Sequence, residues 1–276
     1  RLAIWQVADY GLQTYQVAQP FERGTPLQIP RIQPFAILRV MQSAFIVKLL
    51  KYNYMGLNLS KGNMYEFITH TWNTIKGECF HDCSYCYMKR WGKLKPVRFD
   101  EKELKTDLGT ENFIFVGSSC DMFAENIPDE WIKKTLKHME KFDSKYLLQT
   151  KNPERVLDYI DACVITDKCI VCTTIESDLY YPEIMKNSPH PMQRSIAMQV
   201  ISEVIDTYVT IEPIMDFHLE HFVKMIKRCN PKQVNIGADS GRNSLPEPTK
   251  EKVLELVSEL QKFTIIHNKS NLQRLL

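Results

Sequence analysis

From Glu66 onward, short runs rich in β-branched and aromatic residues alternate with longer stretches in which apolar positions recur every three to four residues. That alternation is the pattern of repeated β-α units on a parallel sheet. The predicted strands are Phe67–Asn73, Asn112–Gly117, Lys145–Gln149, Cys169–Glu176, Thr207–Glu212 and Gln233–Ala238, with Thr264–His267 a candidate seventh. Helical patterns fall near Cys83–Trp91, Pro128–Phe142, Pro153–Ile160, Met192–Ile205, Phe217–Cys229 and Thr249–Phe263. Asn152-Pro153 suits the cap and first position of the third of these. Right-handed crossovers would wind six such units into an α/β fold, a closed or partial (β/α)6 barrel of the TIM type, with functional residues at the carboxyl ends of the strands. An open doubly wound sheet is the alternative, and no Gly-x-Gly-x-x-Gly fingerprint supports its dinucleotide-binding form.

Residues 1–54 differ in character. Pro20, Pro26, Pro30 and Pro34 break them into short pieces, and they hold six basic residues against two acidic and no cysteine. Met55-Gly56 is therefore a candidate start for the folded unit, dividing an N-terminal extension or leader (1–54) from a barrel domain (55–276). The alternative is an N-terminal arm packed on the barrel. The most apolar stretch, Ala36 to Leu50, is interrupted by Arg39, Gln42, Ser43 and Lys48 and does not span a membrane. The chain opens on Arg1 with no charged-then-apolar leader, so a cytoplasmic, reducing compartment is expected. Over all 276 residues, 35 basic against 33 acidic side chains give +2, which advertises no polyanionic partner and excludes no local basic groove.

Candidate chemistry changes the picture at one place. Three of the eight cysteines, Cys79, Cys83 and Cys86, stand at C-x3-C-x2-C just after the first predicted strand. In a reducing compartment such thiols are metal ligands rather than disulfides, and three on a short loop suit an iron–sulfur cluster or zinc. Structural zinc needs a fourth protein ligand, for which His81 is the nearest candidate. Cys169 and Cys172, three apart within a strand, point to opposite faces and read as core. Cys120, Cys163 and Cys229 are isolated in sequence, and His70, His190, His218 and His221 show no spacing that specifies a second metal site.

The cysteine spacing, with the aromatic Tyr85 before the third cysteine, resembles the radical S-adenosylmethionine superfamily. Further resemblance lies in Thr71-Trp72-Asn73, Phe115 to Phe123, Pro128 to Trp131, Gln149 to Arg155, Ile211-Glu212-Pro213 and Ile236 to Gly241. Together they look like a phage-associated branch of unassigned substrate, distantly similar to the spore photoproduct lyase type. The resemblance implies that Cys79, Cys83 and Cys86 hold three irons of a [4Fe-4S] cluster, with S-adenosyl-L-methionine on the fourth and Tyr85 near its adenine. Reduction by a donor such as flavodoxin or ferredoxin would yield a 5′-deoxyadenosyl radical for hydrogen abstraction, nucleic acid or a nucleoside being a candidate substrate. Ser118 and Ser119 correspond to the superfamily's contacts for the cofactor amino group.

At the other strand ends, alternation puts Thr174 with Glu176, and Tyr208 with Thr210 and Glu212, on faces predicted to line the cavity. Glu176 and Glu212 are thus candidate cofactor contacts. Asp121, Lys151, Arg194 and Asp239 are candidate substrate contacts, with Arg155 a further cation after the third strand. Two other functions fit the same cysteines: a zinc-binding interaction or nucleic-acid module with a Cys3His site, and a non-catalytic scaffold that keeps its cluster.

Overall fold

In the computed structural model the residues described are 57–61, 65–160, 165 and 167–276. The expected boundary at Met55, the segment before it and Cys163 lie outside them. Strands are β1 (Asn58–Leu59), β2 (His70–Trp72), β3 (Ile75–Lys76), β4 (Arg98–Phe99), β5 (Thr110–Val116), β6 (Asp143–Thr150), β7 (Cys169–Thr174), β8 (Thr207–Ile211), β9 (Gln233–Ile236) and β10 (Ile265–Asn268). Helices are α1 (Asp129–Met139), α2 (Glu154–Ile160), α3 (Pro182–Met185), α4 (Pro191–Ile201), α5 (Leu219–Arg228) and α6 (Lys250–Leu260).

The main sheet runs β1-β2-β5-β6-β7-β8-β9-β10, all parallel except the antiparallel edge strand β1. Neighbours in the sheet follow chain order without reversal, which is a partial barrel and excludes the doubly wound alternative. β10 supplies the seventh parallel strand. β3 and β4 form a separate two-stranded sheet.

Alternation along the strands divides two cores. Ile114, Val116, Leu148, Cys169, Val171, Val209 and Ile211 face the helices, where Ile132, Leu136 and Met139 of α1 and Phe222, Met225 and Ile226 of α5 bury their apolar stripes. On the opposite face Phe115, Leu147 and Cys172 pack with Tyr65 and Ile68. Cys169 and Cys172 are both buried, one in each core, as their spacing predicts. Phe67 and Ile68, read as the start of the first strand, instead follow Tyr65 into the barrel interior ahead of β2. There Phe67 stacks on Tyr65 at 5.2 Å and sits 5.3 Å from Phe113, so ring packing outweighs strand pairing.

The helix expected over Cys83–Trp91 is only a 3-10 turn at Tyr87–Trp91. Its first residues are committed elsewhere: the Ser84 amide donates to the carbonyl of Ile184 at 2.9 Å, so the cysteine loop pairs with α3 rather than with itself. Among the described residues no helix is long and apolar enough to cross a membrane.

Candidate functional site

At the carboxyl ends of the parallel strands lies a cavity of about 730 Å³ lined by Cys79, Cys83 and Cys86 together with Tyr85, Ser118, Lys151 and Glu212. The cysteine loop is pinned at both ends. Gly77 has φ +116° and a Cβ there would come 2.6 Å from the Pro96 carbonyl oxygen, so only glycine lets the loop pass this close to residues 95–96. On the far side Asn187 donates its amide to His81 O at 3.1 Å and its side chain to Phe80 O at 2.8 Å.

Cys120, isolated in sequence, is brought by the turn after β5 into the cavity wall beside Cys79. Its thiol donates to the Glu78 carbonyl at 3.7 Å, and the close approach of the two sulfurs lowers the Cys79 thiol below its ordinary pKa and raises that of Cys120.

His81 and Asp121 form a buried pair, Nε2 to Oδ2 at 2.8 Å. The same carboxylate oxygen accepts from Thr150 Oγ1 at 3.0 Å and the Lys151 amide at 2.8 Å, while Oδ1 accepts from the Phe123 amide at 2.9 Å. Burial alone would raise the Asp121 carboxyl, but His81 and these backbone donors hold it below the usual carboxylate range. Asp121, a candidate substrate contact, lines the cavity and ties the cysteine loop to the ends of β5 and β6. The imidazole named as a candidate fourth zinc ligand is turned to Asp121, and its buried Nδ1 has no hydrogen-bond partner among the described residues.

Ser118 and Ser119 do line the cavity, and both are organised by a residue of the Thr71-Trp72-Asn73 segment. Asn73 Oδ1 accepts from the Ser119 amide at 2.9 Å and its hydroxyl at 3.0 Å, and Asn73 Nδ2 donates to Ser118 Oγ at 3.1 Å. Asn73 was visible in sequence only as part of the resemblance.

Lys151 Nζ faces the same cavity from the end of β6. Among the described residues its one ion-pair contact, to Glu176 Oε1, spans 3.8 Å, and the ammonium stands 5.4 Å over the Tyr85 ring. Burial would lower its pKa, yet the negative charge of Cys83, Glu176 and Cys86 keeps it raised. A cation held here without a hydrogen-bonded anion of its own is a ready partner for a ligand carboxylate or phosphate.

Glu176 and Arg194 do not reach the cavity as expected. β7 ends at Thr174, so the strand alternation that would aim Glu176 inward stops short of it. The Glu176 carboxylate accepts from Arg194 at 2.7 Å, both side chains being 0% exposed, and from the Tyr85 hydroxyl. Arg194 also donates to the Thr174 carbonyl at 2.8 Å and the Pro189 carbonyl at 2.7 Å. Arg194 is thus held by buried partners and is not among the residues that line the cavity. Arg155 likewise caps the 124–129 segment, bonding the carbonyls of Ala124 and Ile127 and the Asp129 carboxylate.

Strand β8 presents Thr210 and Glu212 to the cavity, while Tyr208 packs beside the inner core. The Glu212 carboxylate pairs with Lys269 and accepts from Asn271 at 2.8 Å, two residues after β10 that sequence reading missed. Gly237 is needed here, because a Cβ would lie 2.7 Å from Glu212 Oε1. Asp239 closes its own turn: its carboxylate accepts from the Gly241 amide at 3.0 Å, the Asn243 side chain at 2.7 Å and the Asn243 amide. Asp239 also lines the cavity where a substrate contact is expected.

The barrel opened to seven parallel strands has the fold of spore photoproduct lyase. A cysteine-to-serine variant of that lyase superposes with a TM-score of 0.59 at 12% identity, over 78% of this chain and 80% of the other. The lyase complexed with a dinucleoside spore photoproduct gives 0.51 at 14% identity, over 75% and 64%. Residues 63–249 match the model of the DUF5131 family, described as a protein of unknown function, and the chain belongs to that family. Comparison with curated protein sequences gives no match.

Proposed function

We propose that the protein is a radical S-adenosylmethionine enzyme, with residues 55–276 its catalytic unit. The carrying observation is the donor set gathered in one cavity: three thiols and the ammonium of Lys151, whose ion pair to Glu176 spans 3.8 Å. Cys79, Cys83 and Cys86 would hold a [4Fe-4S] cluster, Lys151 the cofactor carboxylate, and Ser118 and Ser119 its amino group. When bound, cluster and cofactor supply reductive cleavage to methionine and a 5′-deoxyadenosyl radical, the electron coming from a flavodoxin- or ferredoxin-like donor. Spacing of the thiols supports this over zinc. A tetrahedral ion with sulfur ligands at about 2.3 Å needs them roughly 3.8 Å apart. Among the described residues no three donors that include these thiols lie within 4.8 Å of one another. Anaerobic reconstitution, dithionite reduction and chromatography for 5′-deoxyadenosine test the reading; iron-loaded, reduced protein that makes none would refute it.

Lys151→Ala should leave the iron content unchanged and weaken S-adenosylmethionine binding about 10- to 150-fold, the value of a charge-assisted hydrogen bond of roughly 1.5–3 kcal/mol. Equilibrium dialysis on the reconstituted variant reads this directly, and parental affinity would remove Lys151 from the site.

For the substrate we favour nucleic acid. The cavity rim is formed by residues 87–94, and the stretch 87–95 carries Lys89, Arg90, Lys93 and Lys95 with no acid. Trp91 within it is 72% exposed. Cations interleaved with open aromatic rings suit phosphates and stacked bases, and the matched lyase complex holds a dinucleoside. Trp91→Ala should weaken binding of a single-stranded oligonucleotide by about 1–3 kcal/mol, roughly 5- to 150-fold, without loss of iron. Fluorescence anisotropy of a labelled oligonucleotide checks it, and unchanged affinity would turn the search to other substrates.

A further inference from the structure

Asp178, His218 and His221 are not among the residues that line the three-cysteine cavity. They meet where the loop after β7 approaches the start of α5. The two histidines are three apart in sequence, but Asp178 is 40 residues from His218, so only the fold assembles the group. Asp178 Oδ2 faces His218 Nδ1 at 3.1 Å and His221 Nδ1 at 4.0 Å, and the three donor atoms all lie within 4.8 Å of one another. The other oxygen, Oδ1, accepts the His218 backbone amide at 2.8 Å. One oxygen thus orients the carboxylate, and the second is left for both imidazoles.

A simple cap for α5 accounts for the first histidine and not the second. A hydrogen bond to Oδ2 needs one imidazole, and at 4.0 Å His221 is beyond hydrogen-bond reach yet aims Nδ1 at the same oxygen. A tetrahedral ion bound at about 2.0–2.1 Å by nitrogen and oxygen sets its donors roughly 3.3 Å apart. The observed 3.1 and 4.0 Å bracket that edge. The carboxylate is firmly seated at 6% exposure, while the imidazoles, 66% and 72% exposed, are open to an arriving ion. Imidazole with carboxylate suits zinc and its first-row neighbours rather than calcium or magnesium.

We propose that Asp178, His218 and His221 form a second metal site, taking Zn²⁺ or a similar divalent first-row ion through two nitrogens and one oxygen, with water completing the shell. Bound there, the ion ties the loop after β7 to α5 and braces the strand-end loops from outside the cavity.

Cobalt is the probe, because thiolate ligation adds sulfur-to-metal charge-transfer absorption that imidazole and carboxylate ligation lacks. Metal-free, anaerobic full-length protein should bind one more equivalent of Co²⁺ than His218→Ala/His221→Ala, and the difference spectrum should hold d–d bands without the sulfur band. Asp178→Asn keeps an acceptor for the His218 amide but loses the charge. It should weaken that equivalent by more than about 100-fold, since even outer-shell partners of a metal site contribute 10- to 100-fold. Iron content and cofactor cleavage should match the parent in all these variants, whether or not the radical reading holds. Equal cobalt stoichiometry in parent and double variant, or a difference spectrum dominated by sulfur charge transfer, overturns the site and leaves the three side chains as a helix cap.

Discussion

Reconstituted anaerobically, the protein should carry about four irons and four sulfides per chain, and Cys79→Ala, Cys83→Ala or Cys86→Ala should each abolish that cluster. The loop that bears them is fixed at Gly77 and at its bonds to residues 184 and 187, so a neighbouring thiol cannot swing in to replace a lost one. Cys169→Ala and Cys172→Ala should keep their iron, because these thiols are spent in the two cores on either face of β7. Cys120→Ser is the informative control. Its thiol sits beside Cys79 but donates to the Glu78 carbonyl and stands outside the three-cysteine loop, so iron should be retained. Loss of iron from Cys120→Ser would mean a cluster closed by four thiolates, with no position left for a cofactor. Stoichiometric zinc without sulfide in the parent would sink the cluster reading altogether. Iron and acid-labile sulfide analysis decides each case.

The second large effect is on stability. Arg194→Leu leaves the fully buried Glu176 carboxylate with only the Tyr85 hydroxyl and a lysine 3.8 Å away. Removing one partner of a buried pair costs about 3–5 kcal/mol. At about 2–4 °C per kcal/mol for a domain of this size, the melting temperature should fall by roughly 6–20 °C. Replacing both partners, as in Arg194→Met/Glu176→Leu, should recover most of that loss, since apolar groups of similar volume remove the uncompensated charge. Calorimetry of the cluster-free protein measures both. A single variant that melts with the parent would show that the pair contributes little, and equal loss in the double variant would point to packing rather than charge.

Much of the architecture was legible in the sequence because both periodicities are local. Alternation within Thr207–Ile211 already assigns Thr210 inward and Val209 outward, and the stripe Ile132, Leu136, Met139 already marks the buried side of α1. The three cysteines were legible for the same reason, since C-x3-C-x2-C lies on one short loop. Strand ends were less so. Glu176 reads as inward-facing by parity, but parity fails once the strand stops at Thr174, and Arg194 then draws the carboxylate aside. The early residues of Cys83–Trp91 fail as a helix because hydrogen bonds to α3 compete for their backbone.

What the sequence by itself determined is therefore the set of β-α units, their inward and outward faces, and the three-thiol loop, all written within a few residues of chain. Only the tertiary structure decided which distant groups meet. It brings Cys120 to Cys79, His81 to Asp121, Asn73 to the two serines, Lys269 to Glu212, and Asp178 to His218 and His221. The physical reason is that a parallel barrel gathers the carboxyl ends of strands separated by tens of residues. A polar side chain carries no periodic signal of its partner, so its pairing is fixed by burial and by whichever polar or charged group the folded sheet places within reach.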